Sequence, residues 1–463
     1  MTTHESNFQE RSARVAPDLE HRARMTRQLR LYSTQRSARE ALYGDFQAAR
    51  RAATETKWQA LMALDRHLIE FSDKLEARGA TVHWAADGAE AREIVLGVLS
   101  ARNARLVVKS KAMTAEEIGL AEALIERGIE VVESDLGEFI VQLRKEPPYH
   151  IVFPAMHLSR GEVGELFHDE LAAERTDDPE ALTMIARRVL RAKYVAADAG
   201  ITGANFAVAE TGMISITENE GNARLGAALP RCMITLVGIE KVLPKLEDLA
   251  LFLPLLATAG AGQLLTGYNT LYGGPRAPGE SDGPEEYHVV LLDNGRSELL
   301  ADPELRDALR CIRCGACLNV CPVFRNVGGH TYGTTYPGPI GAVLTPSLRK
   351  RDGFEHLPDA SSLCGACSET CPVGIALHHH LLEHRRRNAV ERPHALWQAA
   401  FRAYAFVCSR PALYGLAISL ARVGARFVRW ATSLGAGPFA RIARERALPE
   451  PAARTFREQW RRR

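Results

Sequence analysis

The chain has 463 residues, of which 46% are apolar and 25% charged. That composition excludes disorder over most of its length, and 36 Gly with 23 Pro exclude collagen-like or low-complexity architecture. The net charge of +2 conceals a split: from Glu383 onward there are 17 Arg, 5 Glu and neither Lys nor Asp, a net +12 set against a body of −10.

Residues 1–75 read as a helical arm, with Leu61, Leu64, Leu68 and Phe71 recurring at helical spacing among many charges. The arm offers no chemistry of its own and is expected to pack on the body or on a partner. Its polar start, MTTHESNFQERSARVAPDLEHR, has no apolar signal core. A reduced, cytoplasmic protein is therefore expected, with the inner membrane face as a peripheral location for a chain with so basic a tail.

Residues 76–300 alternate strand-like and helix-like pieces. ATVHWAA, ARLVVKS and IEVVES read as strands, separated by AREIVLGVLSA and TAEEIGLAEALIERG as helices. Thr114 with Glu117 reads as a capping box and Gly128 as a helix C-cap. The stretch from Lys193 reads as helix followed by a turn at DAGITG. FAVAET, MISITE, CMITLVGI and HVVLLD read as later strands. This order predicts an α/β domain with a mainly parallel sheet. The uncharged run Leu249–Gly267 contains Pro254, Gly260 and Gly262, and is expected to be a buried helix and a turn rather than a membrane span. GGPRAPGESDGPEE is a loop by turn chemistry.

Seven of the nine cysteines lie in residues 301–385, which read as a mostly helical ferredoxin-type module. The first run is Cys311-x2-Cys314-x2-Cys317-x3-Cys321-Pro322, the spacing of bacterial two-cluster ferredoxins, whose fourth cysteine serves the other cluster. The second is Cys364-x2-Cys367-x3-Cys371-Pro372. Two-residue gaps wrap one iron–sulfur cubane, and the three-residue gap before proline turns the chain toward its neighbour. The spacing predicts two [4Fe-4S] clusters, one on Cys311, Cys314, Cys317 and Cys371, the other on Cys321, Cys364 and Cys367. A fourth cysteine of the second run would stand at residue 361, which is serine. Serine oxygen, solvent, a partner's ligand or a three-iron cluster are all open there. Zinc also uses paired C-x2-C, but the reciprocal spacing is not that of a zinc finger. A long chain without a signal core is not a secreted disulfide scaffold. Cys232 and Cys408 sit in apolar stretches and read as inert buried thiols.

No glycine-rich dinucleotide fingerprint and no P-loop accompany the clusters. The electrons are therefore expected to come from another protein, with this chain a relay rather than the catalyst. Nucleic acid is not an expected partner, since aromatics are not interleaved with the basic residues of the tail.

VVKSKAMTAEEIGL, VVESDLGEFIVQL, HIVFPAMH, GITGANFAVAETG, TENEGN, LLDNGRS, CIRCGACLNVCPVFRNVGGHTYGTTYPGPIGAVLTP and SSLCGACSETCPVGI follow one another in order. Together they resemble the lactate utilization protein B family of bacterial iron–sulfur proteins, from about residue 60 to 385. The resemblance implies a Rossmann-like domain of the CoA-transferase and sugar-phosphate-isomerase group. It also implies electron transfer during L-lactate oxidation to pyruvate, with two partners: a cysteine-rich protein and a smaller protein with the same α/β domain. The acceptor would be a quinone-linked protein or lie at a membrane surface. An alternative is that the α/β domain itself binds or oxidises a hydroxy acid.

Asn205, Glu210, Thr211, Asn219, Glu220 and Asn222 lie in turns; in such a domain they would line a cleft for a carboxylate or phosphate, or simply cap strands. Lys109 and Lys111 read as an anion contact or a solvated loop. Gly328, Gly329, His330, Tyr332, Tyr336, Gly338, Pro339 and Gly341 read as a connector that packs over a cluster, and His378–His380 as a solvated face. In the basic helical region 386–463, Leu413, Leu416, Leu420, Val423, Phe427 and Trp430 form an apolar stripe opposite Arg422, Arg426 and Arg429. It suits an acidic partner, the protein's own body or anionic lipid.

Overall fold

The computed structural model describes residues 8–350, 353–393, 395–433, 452 and 454–461. The unit ending at Arg386 holds a six-stranded sheet built from β1 (Thr81–Ala85), β2 (Leu106–Lys109), β3 (Glu130–Glu133), β4 (Ala199–Gly203), β7 (Cys232–Gly238) and β10 (Glu286–Leu292). Its order is β1-β10-β7-β4-β2-β3 and every pairing is parallel. A small second sheet, ordered β8-β5-β6-β9, uses β5 (Phe206–Val208), β6 (Met213–Glu218), β8 (Val242–Leu243) and β9 (Tyr268–Tyr272).

Burial explains the sequence of the central strands. Helices cover both faces of a parallel sheet, so its strands read as continuous apolar runs. CMITLVG of β7 is buried at every position. The register aligns Lys109 with Glu133 and Ile201, and Gly203 with Leu236. The carboxyl ends of β2, β3, β4 and β7 thus share one edge, where ligands of open parallel sheets gather.

Several expectations need correction here. DAGITG is not a turn: its last five residues are β4, in the middle of the sheet. Two glycines disfavour a strand locally, but Gly200 is needed where the helix Asn222–Ala228 crosses. A Cβ there would run into the Gly226 carbonyl oxygen. The Thr114–Glu117 capping box does not form. The helix begins at Met113 and Ala112 caps it without a side chain, because Glu117 is drawn into a buried ion pair. That helix also stops early, at left-handed Gly119, before a second one runs over Leu120–Glu126 to Gly128. Leu249–Ala261 is the expected buried helix, ended by left-handed Gly262.

The arm forms four helices, Phe8–Val15, Leu19–Glu40, Phe46–Met62 and Leu64–Glu76. Asp18 and Asp45 cap the second and third by accepting from the amides of His21 and Ala48. Met25 and Leu29 of the second helix share one hydrophobic core with Phe252, Leu255 and Val343, and with Cys314, Cys317, Cys321, Cys367 and Cys371.

In the unit that begins at Arg387, Ala395–Cys408 and Pro411–Ser433 are helices that pack on each other and bend by 109°. Leu416, Leu420, Val423, Phe427 and Trp430 of the predicted stripe are exposed. Cys408 is exposed as well, not a buried thiol, because it ends a helix with no buried position. No single helix among the described residues is long and apolar enough to cross a membrane. The parts of the predicted tail at 394, 434–451, 453 and 462–463 lie outside the described residues.

Gly200→Ala should destabilise the unit by about 1–3 kcal/mol, the usual cost of overpacking a tight contact. A lowered urea midpoint checks it; an unchanged one would refute the strand–helix contact as the reason for the glycine.

Candidate metal centre

The two cysteine runs fold into the same local structure. Arg313 (φ 59°) and Gly315 (φ 74°) bracket Cys314, as Leu363 (φ 55°) and Gly365 (φ 82°) bracket Cys364. Left-handed backbone at these positions suits glycine and strains arginine and leucine. Each loop runs into a five-residue helix, Ala316–Val320 or Ala366–Thr370, and then into an extended cysteine followed by proline. The two short helices pack against each other.

This pairing sets the thiols in two groups. Cys311, Cys314, Cys317 and Cys371 lie close enough to perturb one another's charge, and so do Cys321, Cys364 and Cys367. Burial, then Cys371 and Cys311, push the Cys314 thiol up to about 12. Burial, then Cys321, push Cys367 up to about 11. Cys364 is exposed, and its thiol is lowered chiefly by the Ala366 amide. None of the nine cysteines is in a disulfide.

Cys311 Sγ accepts from the Arg313 amide at 3.4 Å, and Ser361 Oγ accepts from the Leu363 amide at 3.1 Å. Ser361 thus stands in the second turn as Cys311 stands in the first. The buried Tyr332 hydroxyl has no nitrogen or oxygen partner among the described residues and lies against the Cys321 sulfur, beside Cys317 and Cys367. A buried hydroxyl whose partner is cysteine sulfur, with backbone amides aimed at the thiols, fits a sulfide-bearing cluster. The connector does pack here through Tyr332 and Tyr336, whereas His330 turns to the Pro147 carbonyl at 2.8 Å.

Charged residues missed by sequence reasoning tie this module to the sheet. Glu240, just after β7, accepts from Arg296 at 2.5 Å and from Arg313 at 2.9 Å. Arg296 also bonds Glu117 at 2.8 Å, and Tyr336 donates to Glu117 at 2.6 Å. Arg313 stacks 4.8 Å over the Tyr336 ring. Burial opposes the Glu240 charge, but Arg296 and Arg313 outweigh it and hold the carboxyl down to about 2. The arm packs on the body, as expected, and its contacts reach the second cysteine turn. Arg36 donates to the Thr370 carbonyl at 2.8 Å and Arg50 to that of Cys371 at 2.9 Å. Lys57, buried, donates to the carbonyls of Glu240 and Val242. These partners lie hundreds of residues apart, so no local pattern reveals them.

Other expectations sort as follows. Lys109 is neither a solvated nor an anion-binding residue. It is fully buried, 2.8 Å from Glu116 and 2.9 Å from Glu133. His380 is buried, and His378 bonds Ser368 at 2.7 Å, so this is no solvated face; the last cysteine loop packs on it. Asn205, Asn219, Glu220, Asn222 and Lys111 line a cavity of about 320 Å³ at the carboxyl edge of the sheet. Glu210 and Thr211 do not; they accept from the Leu246 and Met213 amides, as turn residues.

Glu240→Gln should cost about 3–5 kcal/mol at neutral pH, because it leaves two buried arginines underpaired. A carboxyl held below its ordinary 4.5 contributes stability above that pH and loses it as pH falls toward 2. The gap between the two proteins' urea midpoints should therefore shrink from pH 4.5 downward; a constant gap would contradict a charged Glu240.

Residues 68–292 match the LUD domain and residues 307–375 the 4Fe-4S dicluster domain. The module is thus of the iron–sulfur type. The chain is 44% identical to lactate utilization protein B of Oceanobacillus iheyensis, over 90% of this chain and 88% of that protein. It is 42% identical to lactate utilization protein B of Shouchella clausii, over 93% and 91%. It is also 43% identical to the uncharacterized electron transport protein YkgF of Escherichia coli K12, over 89% and 88%. A solved DUF162-family structure from Deinococcus radiodurans aligns with half of this chain and 98% of its own, at 18% identity and a TM-score of 0.28. Identity at this level, over nearly the whole of both chains, makes this protein a member of the lactate utilization protein B family.

Proposed function

We propose that this protein relays single electrons released when a partner oxidises L-lactate to pyruvate, passing them toward a quinone-linked acceptor. The observation that carries the reading is the paired, reciprocal cysteine turn, in a chain whose similar proteins bear lactate-utilization and electron-transport names.

Cys311, Cys314, Cys317 and Cys371 would hold one [4Fe-4S] cluster, and Cys321, Cys364 and Cys367 a second. When bound, such clusters supply one-electron transfer at potentials set by charge, hydrogen bonds and burial. The lactate–pyruvate couple releases two electrons and two protons, so two one-electron sites match its stoichiometry. Ser361 Oγ is the fourth ligand we assign to the second site, since it takes the place in its turn that Cys311 Sγ takes in the first. Arg313 sets a buried positive charge beside the first site. Exposed Cys364 makes the second site the port toward solvent and a docked protein. The two partners would be a cysteine-rich lactate-utilization protein and a smaller protein with an α/β domain of the same kind.

Anaerobic visible spectroscopy of the cluster-loaded chain tests the relay. L-Lactate should bleach it only with both partners present, while dithionite bleaches it alone. Bleaching by lactate without partners would make this chain the dehydrogenase and end the relay reading. Iron analysis should give roughly eight irons per chain. Cys317→Ser should cost one cluster's electron paramagnetic signal and Cys367→Ser the other's. Ser361→Cys should retain both and change only the second; an unchanged spectrum would remove Ser361 from the ligand set.

A further inference from the structure

The cavity at the carboxyl edge of the sheet is not used by the relay, yet it touches the first cysteine loop. Arg313 and Cys314 line it on one side, with no other cysteine of that loop. Lys241 lines it too. That side chain is more than nine-tenths buried, and its amine has no hydrogen bond or ion pair among the described residues. Of the acidic groups that act on it, the Glu240 carboxylate is already paired and the Cys311 thiol belongs to the first cysteine group. Glu240 is taken by two arginines, and Lys111 by the Val152 carbonyl at 2.9 Å and Asp135 at 3.5 Å. A buried ammonium with no partner calls for an anion.

The rest of the lining limits which anion fits. Phe153 and Leu256 supply apolar wall, which suits an organic body rather than a bare inorganic ion. The cationic and acidic side chains around the cavity are equal in number, three of each, so a doubly charged phosphate is disfavoured against a single charge. A space of about 320 Å³ admits a molecule of several heavy atoms. The position, outside the ends of β2, β3, β4 and β7, is where parallel sheets take ligands.

We propose that this cavity is a binding site for a small organic monocarboxylate, with Lys241 as the carboxylate's counter-ion against the Arg313–Cys314 turn. Occupancy would place a ligand charge directly against the backbone of a cluster loop. The α/β domain would then report a bound carboxylate to the first redox site. Binding does not require the relay reading to hold, because it is measured without electron flow.

Calorimetry on the oxidised, cluster-loaded full chain tests it, with L-lactate, pyruvate, acetate and inorganic phosphate as separate titrants. One of the carboxylates should bind saturably and phosphate should not. Lys241→Gln should weaken that binding about tenfold or more, as for loss of one charge-assisted contact. Ala204→Leu, which fills the cavity from its rim, should abolish it. Lys245→Gln, an exposed neighbour outside the cavity, should leave it unchanged. Both cavity variants should keep the visible spectrum of the loaded protein, which separates lost binding from misfolding. The ligand should also shift the electron paramagnetic spectrum of the reduced first cluster in the parent chain only. No saturable binding by any carboxylate, or equal binding of phosphate, overturns the proposal. So does a Lys241→Gln protein with an altered cluster potential and unaltered binding, which would make the lysine a counter-charge for the cluster.

Discussion

Everything in the larger unit hangs on a row of buried charges of alternating sign: Glu117, Arg296, Glu240 and Arg313. Each of these ions alone would cost several kcal/mol to bury. Together they are paired, and the row runs from the helix after β2, through the segments after β10 and β7, to the first cysteine turn. Apolar packing could hold the two parts together, but it would not fix their register. An alternating set of charges has one arrangement in which every ion is paired, and a shift of one residue leaves two of them alone. Gly238 belongs to the same device, since a side chain there would collide with the Glu240 carboxylate.

The row also explains why strained backbone is tolerated at Arg313. A left-handed arginine is unfavourable in isolation, yet its side chain meets Glu240 and the Tyr336 ring. Leu363, the matching position of the second turn, packs against the hydrophobic core instead of an ion pair, and the following cysteine is exposed. The two halves of the repeat thus share a backbone but differ in environment: one is sealed against the α/β domain, the other faces outward.

The cysteine turns and most sheet strands were legible in the sequence because both are local patterns, a spacing or a run of apolar residues. β4 was not, since its glycines answer to the helix crossing above it rather than to strand preference. Thr114 and Glu117 have the right spacing for a cap, but a distant arginine competes for the glutamate and wins. The same limit hid Arg36 and Arg50, whose partners lie far away in sequence, while Lys109 meets Glu116 and Glu133 only once β2, β3 and the following helix are packed together. For the candidate site, residue types gave the ligands. The hydrogen bond that aligns Ser361 with Cys311, and the unpaired amine of Lys241, required the fold.

The contacts of the arm reach across almost the whole chain: Arg36 to Thr370 spans 334 positions and Arg50 to Cys371 spans 321. A ribosome releases the second cysteine turn more than three hundred residues after the arm. Closing so long a loop is slow and costs entropy that only the finished contacts repay. The α/β sheet can therefore be complete while the last cysteine turn is still unclamped. That ordering leaves a period in which the thiols are presented to whatever delivers iron and sulfide. Docking of the arm helices then ends it, so that a part of the chain made long before the last cysteine turn is the part that shuts the door on the metal centre.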